Sequence, residues 1–441
     1  MVTIKNLLRN NTNSPQKSGL VLVVFRLLSS LLQFPAIILL TKSWSREQMG
    51  VWLLINSFSQ VILVIADFGL GQSLRLAFAK SKELTKNGEL LANSALSFSV
   101  ILSIILLGIF LLILLVLNPL NLFTITDQVF RNQLNLIFAL FIGCTIISAP
   151  SLIIVQLSFA FHEPQKTVIY DLMRTIILFS ASMYAKMDNF LFIVCIVAIF
   201  SLITRIFQYI NFFSIRNWRF RYIEFKQAFK IVQPYFVKSI EFWILAIIAS
   251  IQVSLLPWLI AQVVSVSELG KVAILIQILG FLLTLHLAFY TPIQSVYSNA
   301  NFLMASSYIK KSLISTIIVS PIAFILIFLL LPLITHLTGK HVIFDLNILL
   351  FFAFWGFLWL LINTSSIMLN GIGEIRIQIL GLALCASIPY LSIIFGWVTN
   401  LFSLFQIIIL GLLCLFTINM VFIKQSLISL KTDESNKKVA I

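Results

Sequence analysis

Charged residues are scarce in this chain of 441 residues: Asp, Glu, Lys and Arg make up 10% of it, against roughly 25% in soluble domains. Hydrophobic residues make up 60%, and the mean hydropathy is +1.05. This composition excludes a soluble globular domain and indicates a polytopic membrane protein. The formal net charge is +15, but the basic residues lie mostly at the ends of apolar segments, where they set membrane orientation. No nucleic acid partner is therefore expected.

Motifs of covalent and metal chemistry are also missing. No Ser, His and Asp set, metal-spaced His cluster or glycine-rich phosphate loop occurs, and Gly371-Ile-Gly373 is too short a pattern to indicate a nucleotide site. The cysteines are far apart, lie within apolar runs and lack metal-ligand spacing: Cys144, Cys195, Cys385 and Cys414. The sequence therefore predicts no catalytic residue, no metal site and no cofactor, and transport is the simplest function.

What the chain has instead is a series of apolar stretches, each close to the ~20 residues that span a bilayer as a helix. They lie near 18–40, 48–74, 93–117, 132–157, 167–185, 189–213, 234–260, 270–293, 312–334, 345–369, 376–395 and 399–423. We therefore predict an all-α polytopic membrane protein with twelve transmembrane helices. The polar N-terminus precedes a full-length span without a small-residue cleavage site, so no cleaved signal peptide is expected.

Orientation follows from the distribution of positive charge. If the N-terminus is cytoplasmic, the tails and loops on the cytoplasmic side hold most of the Lys and Arg, and the positive-inside rule then places both termini in the cytoplasm. The outer loops are short, the longest being 118–131, and none is long enough for an extracytoplasmic domain. Any chemistry is expected within the membrane.

A weak internal repeat relates the two halves of the chain. Because six helices separate the copies, they share one orientation, which is typical of a parallel repeat. We predict an N-terminal six-helix lobe at 1–213 and a C-terminal six-helix lobe at 234–424. The matched pieces are Pro35 with 47–50 against Pro257 with 267–270, and 161–166 against 372–376.

The polar run 214–233 separates these lobes. Aromatic and apolar residues recur on one helical face, while basic residues occupy the others, so we predict a cytoplasmic amphipathic linker helix with its basic side toward anionic headgroups. The polar tail 425–441 has too little apolar content to fold alone and is predicted to be disordered. The apolar face of the linker is Trp218, Tyr222, Phe225, Phe229 and Val232, and its cations are Arg219, Arg221, Lys226 and Lys230.

Polar side chains collect on single stripes of several spans, as expected for faces turned toward protein or a water-filled cavity. Segments three, nine and twelve show no comparable stripe and are expected to face lipid. The predicted cavity residues are Arg26, Arg174, Lys238, Gln33, Asn56, Gln60, Gln277 and Thr284, and the predicted charge partners or coupling-ion candidates are Asp67, Asp171 and Glu241.

The charges lie roughly 5–12 Å inside the cytoplasmic boundary at 1.5 Å per residue. Asp171 with Arg174 and Lys238 with Glu241 are i, i+3 pairs, and Arg26 is expected to pair with Asp67 across the cavity. A structural salt bridge is the alternative for each pair. Arg205 is interpreted as a residue that snorkels to the interface, and His286 as a packing residue.

The stretch Asp67-Phe-Gly-Leu-Gly71, with Met49-Gly-Val-Trp52 upstream, resembles the opening of Wzx-type polysaccharide flippases of the multidrug, oligosaccharidyl-lipid and polysaccharide (MOP) exporter superfamily. The resemblance implies two six-helix lobes around a central cavity, a MATE-like fold, and a cationic cavity at Arg26, Arg174 and Lys238. It also implies movement of undecaprenyl-pyrophosphate-linked oligosaccharides to the outer leaflet of the bacterial cytoplasmic membrane, for O-antigen or lipopolysaccharide synthesis. A polysaccharide polymerase and a chain-length regulator would be further partners.

Two other functions stay open. A cation-coupled multidrug antiporter of the same fold would use Asp67 or Glu241 to bind its coupling ion, a proton or sodium. A polyprenyl-linked polysaccharide polymerase or glycosyltransferase also has about a dozen spans, but such enzymes commonly need a sizeable extracytoplasmic loop, and this chain has none.

Overall fold

A computed structural model of the chain describes residues 15–80, 88–117, 128–161, 163, 165–185, 189–254, 256–290, 346–372 and 375–439, with parts of 306–336. Within these ranges the regular structure is helical and no strand occurs. The helices are α1 (Pro15–Ser43), α2 (Arg46–Asp67), α3 (Leu70–Lys80), α4 (Gly88–Leu117), α5 (Gln128–Ser148), α6 (Ser151–Ala160), α7 (Gln165–Met183), α8 (Phe190–Ile215), α9 (Phe225–Val232), α10 (Phe236–Ser254), α11 (Leu256–Val263), α12 (Val266–Tyr290), α13 (Leu346–Ile372), α14 (Ile375–Ile394) and α15 (Leu401–Val439).

The chain is a multi-pass membrane protein. In the described ranges eight helices are long and apolar enough to cross a membrane, or nine if the pair α5 and α6, bent by 41°, counts as one span. Large apolar side chains on α4 are exposed, among them Ile104, Leu112 and Leu115, as expected for a helix that faces lipid. Most of the ninth predicted segment, 312–334, lies outside the described residues.

Two compact units divide the chain, Met1–Ala273 and Ile274–Ile441. The core of the first unit joins α3, α4 and α6 to the linker: Leu74, Leu96, Ile154, Ala228 and Val232 are buried together. A smaller cluster in the second unit joins Met368 and Leu369 of α13 to Ile423 of α15. The six-helix lobes at 1–213 and 234–424 stay a prediction.

The second predicted span is broken where the Asp67–Gly71 motif lies. Phe68 and Gly69 both have positive φ, 52° and 65°, which ends α2 and redirects the chain into α3. A side chain at Gly69 would place its Cβ 2.7 Å from the backbone nitrogen of Trp243 on α10, so only glycine fits. The Asp67 carboxyl interacts with the backbone N–H groups of Gly69 and Gly71, at the positive end of α3.

The repeat is visible where α2 and α12 begin. Ser45 and Ser265 each accept a hydrogen bond from the backbone N–H three residues later, the pattern of a helix N-cap. Each helix then packs a glycine against the backbone of the other. A Cβ on Gly50 would lie 3.2 Å from the carbonyl carbon of Val266, and a Cβ on Gly270 would lie 2.8 Å from that of Arg46. The contacts are reciprocal, which supports the register of the predicted repeat.

The linker differs from the single helix predicted at 214–233. Helix α8 continues to Ile215, Asn217 turns the chain with a φ of 53°, and helical structure resumes only at α9. The stretch before α9 is held against α4, because backbone groups of 219, 221 and 223 bond to Glu89, Asn93 and Ser97. These hydrogen bonds to α4 satisfy backbone groups that would otherwise bond within a helix. The expectation that the third segment carries no polar stripe is therefore wrong at its first turns.

Asn93 carries the largest share of this attachment, since its amide contacts both Arg219 and Arg221 and is 2% exposed. We expect Asn93→Ala to lower the free energy of unfolding by about 1–3 kcal/mol, because two buried hydrogen bonds are lost. Trypsin should then cut the linker faster after Arg219 and Arg221. Ser94→Ala is the matched control, because the Ser94 hydroxyl donates only within its own helix, to the Leu90 carbonyl. Equal cleavage of the two variants would contradict the prediction.

The C-terminal tail is helical to Val439 and not disordered as predicted. No glycine or proline follows Gly411, so nothing in the sequence interrupts α15. Asp433 with Lys437 and Glu434 with Lys438 also have the i, i+4 spacing, acid before base, that stabilises isolated helices. The prediction from low apolar content did not take these charge pairs into account.

Candidate functional site

Four charged side chains of the first unit meet between α1, α7 and α8. Arg26 Nη2 of α1 lies 3.4 Å from Asp171 Oδ2 of α7. Arg174, one turn further along α7, bonds the other oxygen, Asp171 Oδ1. Arg205 Nη2 of α8 lies 3.9 Å from the same Oδ1. One carboxylate therefore holds three guanidinium groups, and we call these four residues the arginine cluster.

The four groups lie near the middle of their helices. Arg26 is in the N-terminal half of α1, Asp171 is in the N-terminal half of α7, Arg174 is at the midpoint of α7, and Arg205 is just past the midpoint of α8. Helix α1 packs closely along α7, and α7 along α8.

The arginine cluster is not neutral. Three guanidinium groups, which stay protonated in proteins, against one carboxylate leave two positive charges. The Arg205 side chain is 10% exposed, and those of Arg26 and Arg174 are about one-third exposed. A charge at the centre of a spanning helix costs at least ~2.5 kcal/mol to insert, so this excess charge is unfavourable without an anion.

Spare hydrogen-bond donors surround the same point. Arg205 Nη1 donates a hydrogen bond to Gln208 Oε1 over 3.0 Å. The Gln208 amide is therefore next to the arginine cluster. Arg26 Nε, Arg174 Nε and Gln208 Nε2 are buried and have no hydrogen-bond partner among the described residues. Buried donors are normally satisfied. The site can therefore accept an anion with several oxygens, through charge-assisted hydrogen bonds.

Two expectations about the charges are corrected here. Arg26 is not paired with Asp67; its carboxylate partner is Asp171, because α1 packs on α7, whereas Asp67 interacts with backbone N–H groups at the start of α3. Arg205 is not a snorkelling residue, since it is buried beside Asp171. The i, i+3 spacing of Arg205 and Gln208 was the sequence signal that Arg205 has a polar partner on its own helix.

The pair Lys238 and Glu241 forms as predicted, with Lys238 Nζ 2.6 Å from Glu241 Oε2 on α10. The Glu241 side chain is largely buried, whereas that of Lys238 is more than half exposed. Lys238 pairs with Glu241 on its own helix, whereas the arginine cluster is centred on Asp171. The sequence-based grouping of Lys238 with Arg26 and Arg174 therefore stays a prediction.

The neutral cavity residues are not in the cluster either. The Asn56 amide donates to Trp52 O on its own helix, and Thr284 donates to Gly280 O. None of the described hydrogen bonds or ion pairs joins the arginine cluster to the predicted neutral residues Gln33, Asn56, Gln60, Gln277 and Thr284. Gln33 and Gln60 are exposed side chains, a position that suits either a cavity wall or the protein surface.

The second unit holds a polar network that the sequence did not indicate. His286 Nε2 lies 3.3 Å from Thr316 Oγ1 and 3.2 Å from Thr364 Oγ1, and these two hydroxyls are 2.9 Å apart. His286 thus has polar partners as well as the packing role that was expected. On α15, Asn419 is buried and donates to Ser365 of α13, so the twelfth segment does carry a polar contact.

Comparisons with known proteins identify the fold. No protein-family model matches the sequence, and no curated protein matches it. Solved structures do match. A MATE in complex with MaL6 is 15% identical, with 97% of this chain covering 99% of that chain at a TM-score of 0.65. An inward-facing multidrug resistance MATE family transporter of the MOP superfamily is 13% identical, over 94% and 99%, at 0.57.

A third structure is a MOP superfamily transporter from Pyrococcus furiosus, described by a reverse polarity of its binding pocket that suggests a different function. It is 14% identical, over 97% of this chain and 98% of that chain, with a TM-score of 0.56. The MATE-like fold implied by the resemblance is thereby confirmed, while the superfamily and the flippase subtype stay predictions. The chain has the fold of the MATE transporters of the MOP superfamily.

Proposed function

We propose that this protein is a flippase that moves undecaprenyl-pyrophosphate-linked oligosaccharide repeat units from the cytoplasmic to the outer leaflet of the bacterial cytoplasmic membrane. The observation that carries the proposal is the arginine cluster, with two excess positive charges and buried N–H donors that lack partners. A diphosphate supplies the matching acceptor, because it is multiply anionic and takes bidentate hydrogen bonds from guanidinium.

Asp171 has a defined part in this proposal. With no substrate bound it holds three mutually repelling guanidinium groups together. The pyrophosphate then offers them a more highly charged acceptor and reaches the free Nε–H groups of Arg26 and Arg174. The sugars would occupy the polar cavity and the prenyl tail would stay in lipid, while alternating access carries the headgroup outward.

A multidrug antiporter is the second candidate, because solved structures of this fold include multidrug resistance MATE family transporters. In that case Asp67 or Glu241 would bind the coupling ion, a proton or sodium. An antiporter predicts drug resistance on overexpression and no change in surface glycan. The arginine cluster disfavours it, since excess positive charge repels cationic drugs.

Mass analysis of lipid-linked intermediates in a deletion strain tests the two functions together. We expect undecaprenyl-pyrophosphate-linked repeat units to accumulate on the cytoplasmic leaflet and surface polysaccharide to be lost. A polymerase mutant would still display a single repeat unit. Normal surface polysaccharide in a strain without a substituting paralogue would refute the flippase. The proposed further partners, a polymerase and a chain-length regulator, act on the product of this step.

A further inference from the structure

The linker has two faces with different surroundings. Its inner face is fastened to the protein, through the backbone bonds to α4 and through Ile223, Ala228 and Val232, which are buried in the core of the first unit. This side needs no other partner.

The outer face is cationic and aromatic. Arg219, Lys226 and Lys230 are exposed, and large rings alternate with them. The exposed fractions of these rings are 48% for Phe220, 62% for Tyr222, 47% for Phe225 and 37% for Phe229. Neighbouring large apolar groups left open on a surface indicate a place of interaction. Rings interleaved with cations are typical of segments that lie in a membrane interface.

The neighbouring helices show what meets this face. The linker connects α8 to α10, two apolar helices of the membrane-spanning bundle. Exposed apolar side chains continue along both of them up to the linker: Phe207 and Ile210 on α8, Val237 and Ile240 on α10. Such rows face lipid in a spanning helix. The cations of the linker therefore lie at the boundary between the acyl chains and the headgroups of the membrane.

We propose that the outer face of the linker, formed by Arg219, Lys226 and Lys230 with the four rings between them, binds the headgroups of anionic phospholipids. The chemistry is complementary, because lipid phosphates are negative and the cytoplasmic leaflet attracts basic segments near its surface. Aromatic rings suit the same depth, since their apolar bodies reach the acyl boundary. The inner attachment to α4 holds the face in place.

Arg221 differs from the other linker cations and provides an internal comparison. It lines a polar cleft of about 500 Å³ between α4 and the linker, together with the carboxylates of Glu89 and Glu224. Those two negative charges offset the guanidinium. We therefore expect Arg221 to contribute little to the binding of an anionic headgroup.

The experiment uses the purified full-length protein in detergent micelles titrated with phosphatidylglycerol, with bound lipid counted by native mass spectrometry. A basic side chain near an anionic surface contributes roughly a fivefold factor in affinity. We expect the triple variant Arg219→Gln, Lys226→Gln, Lys230→Gln to bind phosphatidylglycerol about tenfold or more weakly. Arg221→Gln alone should change the affinity less than about twofold.

The matched control removes three other exposed cations from the side predicted to be cytoplasmic: Lys310→Gln, Lys311→Gln, Lys424→Gln. It should keep wild-type affinity. Equal losses in the two triple variants, or no loss in the linker variant, would overturn the proposal. If the linker variant does not fold, Arg219→Lys, Lys226→Arg, Lys230→Arg must retain binding. Loss of transport with full lipid binding would show that the face serves a protein partner, and would also refute it.

Discussion

Arg26→Ala is expected to abolish surface polysaccharide while the protein stays in the membrane at its normal level. Arg26 supplies one of the three guanidinium groups around Asp171 and a buried Nε–H without a described partner. A hydrogen bond to a charged group contributes about 1.5–3 kcal/mol, so pyrophosphate binding to the purified protein should weaken about tenfold or more. Arg26→Lys should recover only part, because ammonium lacks the planar fork.

The control for this change is Arg46→Ala, which removes an equal charge from an exposed position at the start of α2. It should leave export and pyrophosphate binding unchanged. A purely structural role for Arg26 predicts a different pattern, in which Arg26→Ala destabilises the protein or removes it from the membrane. Unchanged pyrophosphate affinity in the purified Arg26→Ala protein would reject substrate binding by Arg26.

The Asp171→Asn variant distinguishes two roles: the stabilisation of the three guanidinium groups by Asp171, and the binding of substrate by those groups. Without the carboxylate, three guanidinium groups repel one another, so the substrate-free protein should unfold at a lower temperature. Added pyrophosphate should then stabilise the variant more than it stabilises the wild-type protein, because the anion replaces the missing negative charge. The measurement is the thermal midpoint of the detergent-solubilised protein with and without pyrophosphate. A smaller shift in the variant would contradict anion binding at this cluster.

Gly270→Ala is expected to be the most destabilising single-methyl change in α12. Its Cβ would lie 2.8 Å from the carbonyl carbon of Arg46, with the carbonyl oxygen closer still. Backbone cannot move aside like a flexible side chain, so we expect at least the upper part of the range for overpacking, about 3 kcal/mol. The free energy of unfolding in detergent and the yield of folded protein should both fall.

Gly280→Ala on the same helix is the matched control, because no described atom lies within 4 Å of its Cβ position. It should be neutral or slightly stabilising, since alanine favours a helix. Gly50→Ala, the repeat-related change, should behave like Gly270→Ala because the contacts are reciprocal. Similar stabilities for Gly270→Ala and Gly280→Ala would mean that α2 and α12 are not packed backbone to backbone.

Local pattern accounts for what was predicted correctly. Apolar length predicted helices at the described spans, because in lipid a chain must satisfy its backbone hydrogen bonds internally. Spacing of i, i+3 predicted the pairs Asp171 with Arg174 and Lys238 with Glu241, since one helix holds both partners. The alignment of residues 47–50 with 267–270 predicted equivalent helix starts, and their glycines do make equivalent contacts.

Contacts between distant segments were decided only by the tertiary structure. The sequence placed Arg26 and Asp67 at similar depths on consecutive helices, but depth does not determine which helix is the neighbour, and α1 packs on α7. The apolar residues of the linker recur at helical spacing. Part of the linker is nevertheless not helical, because Glu89, Asn93 and Ser97 of α4 bind its backbone N–H groups. Hydrophobicity and spacing act along the chain and can be read from the sequence, whereas the partner of a buried charge or a backbone N–H depends on which helices become neighbours.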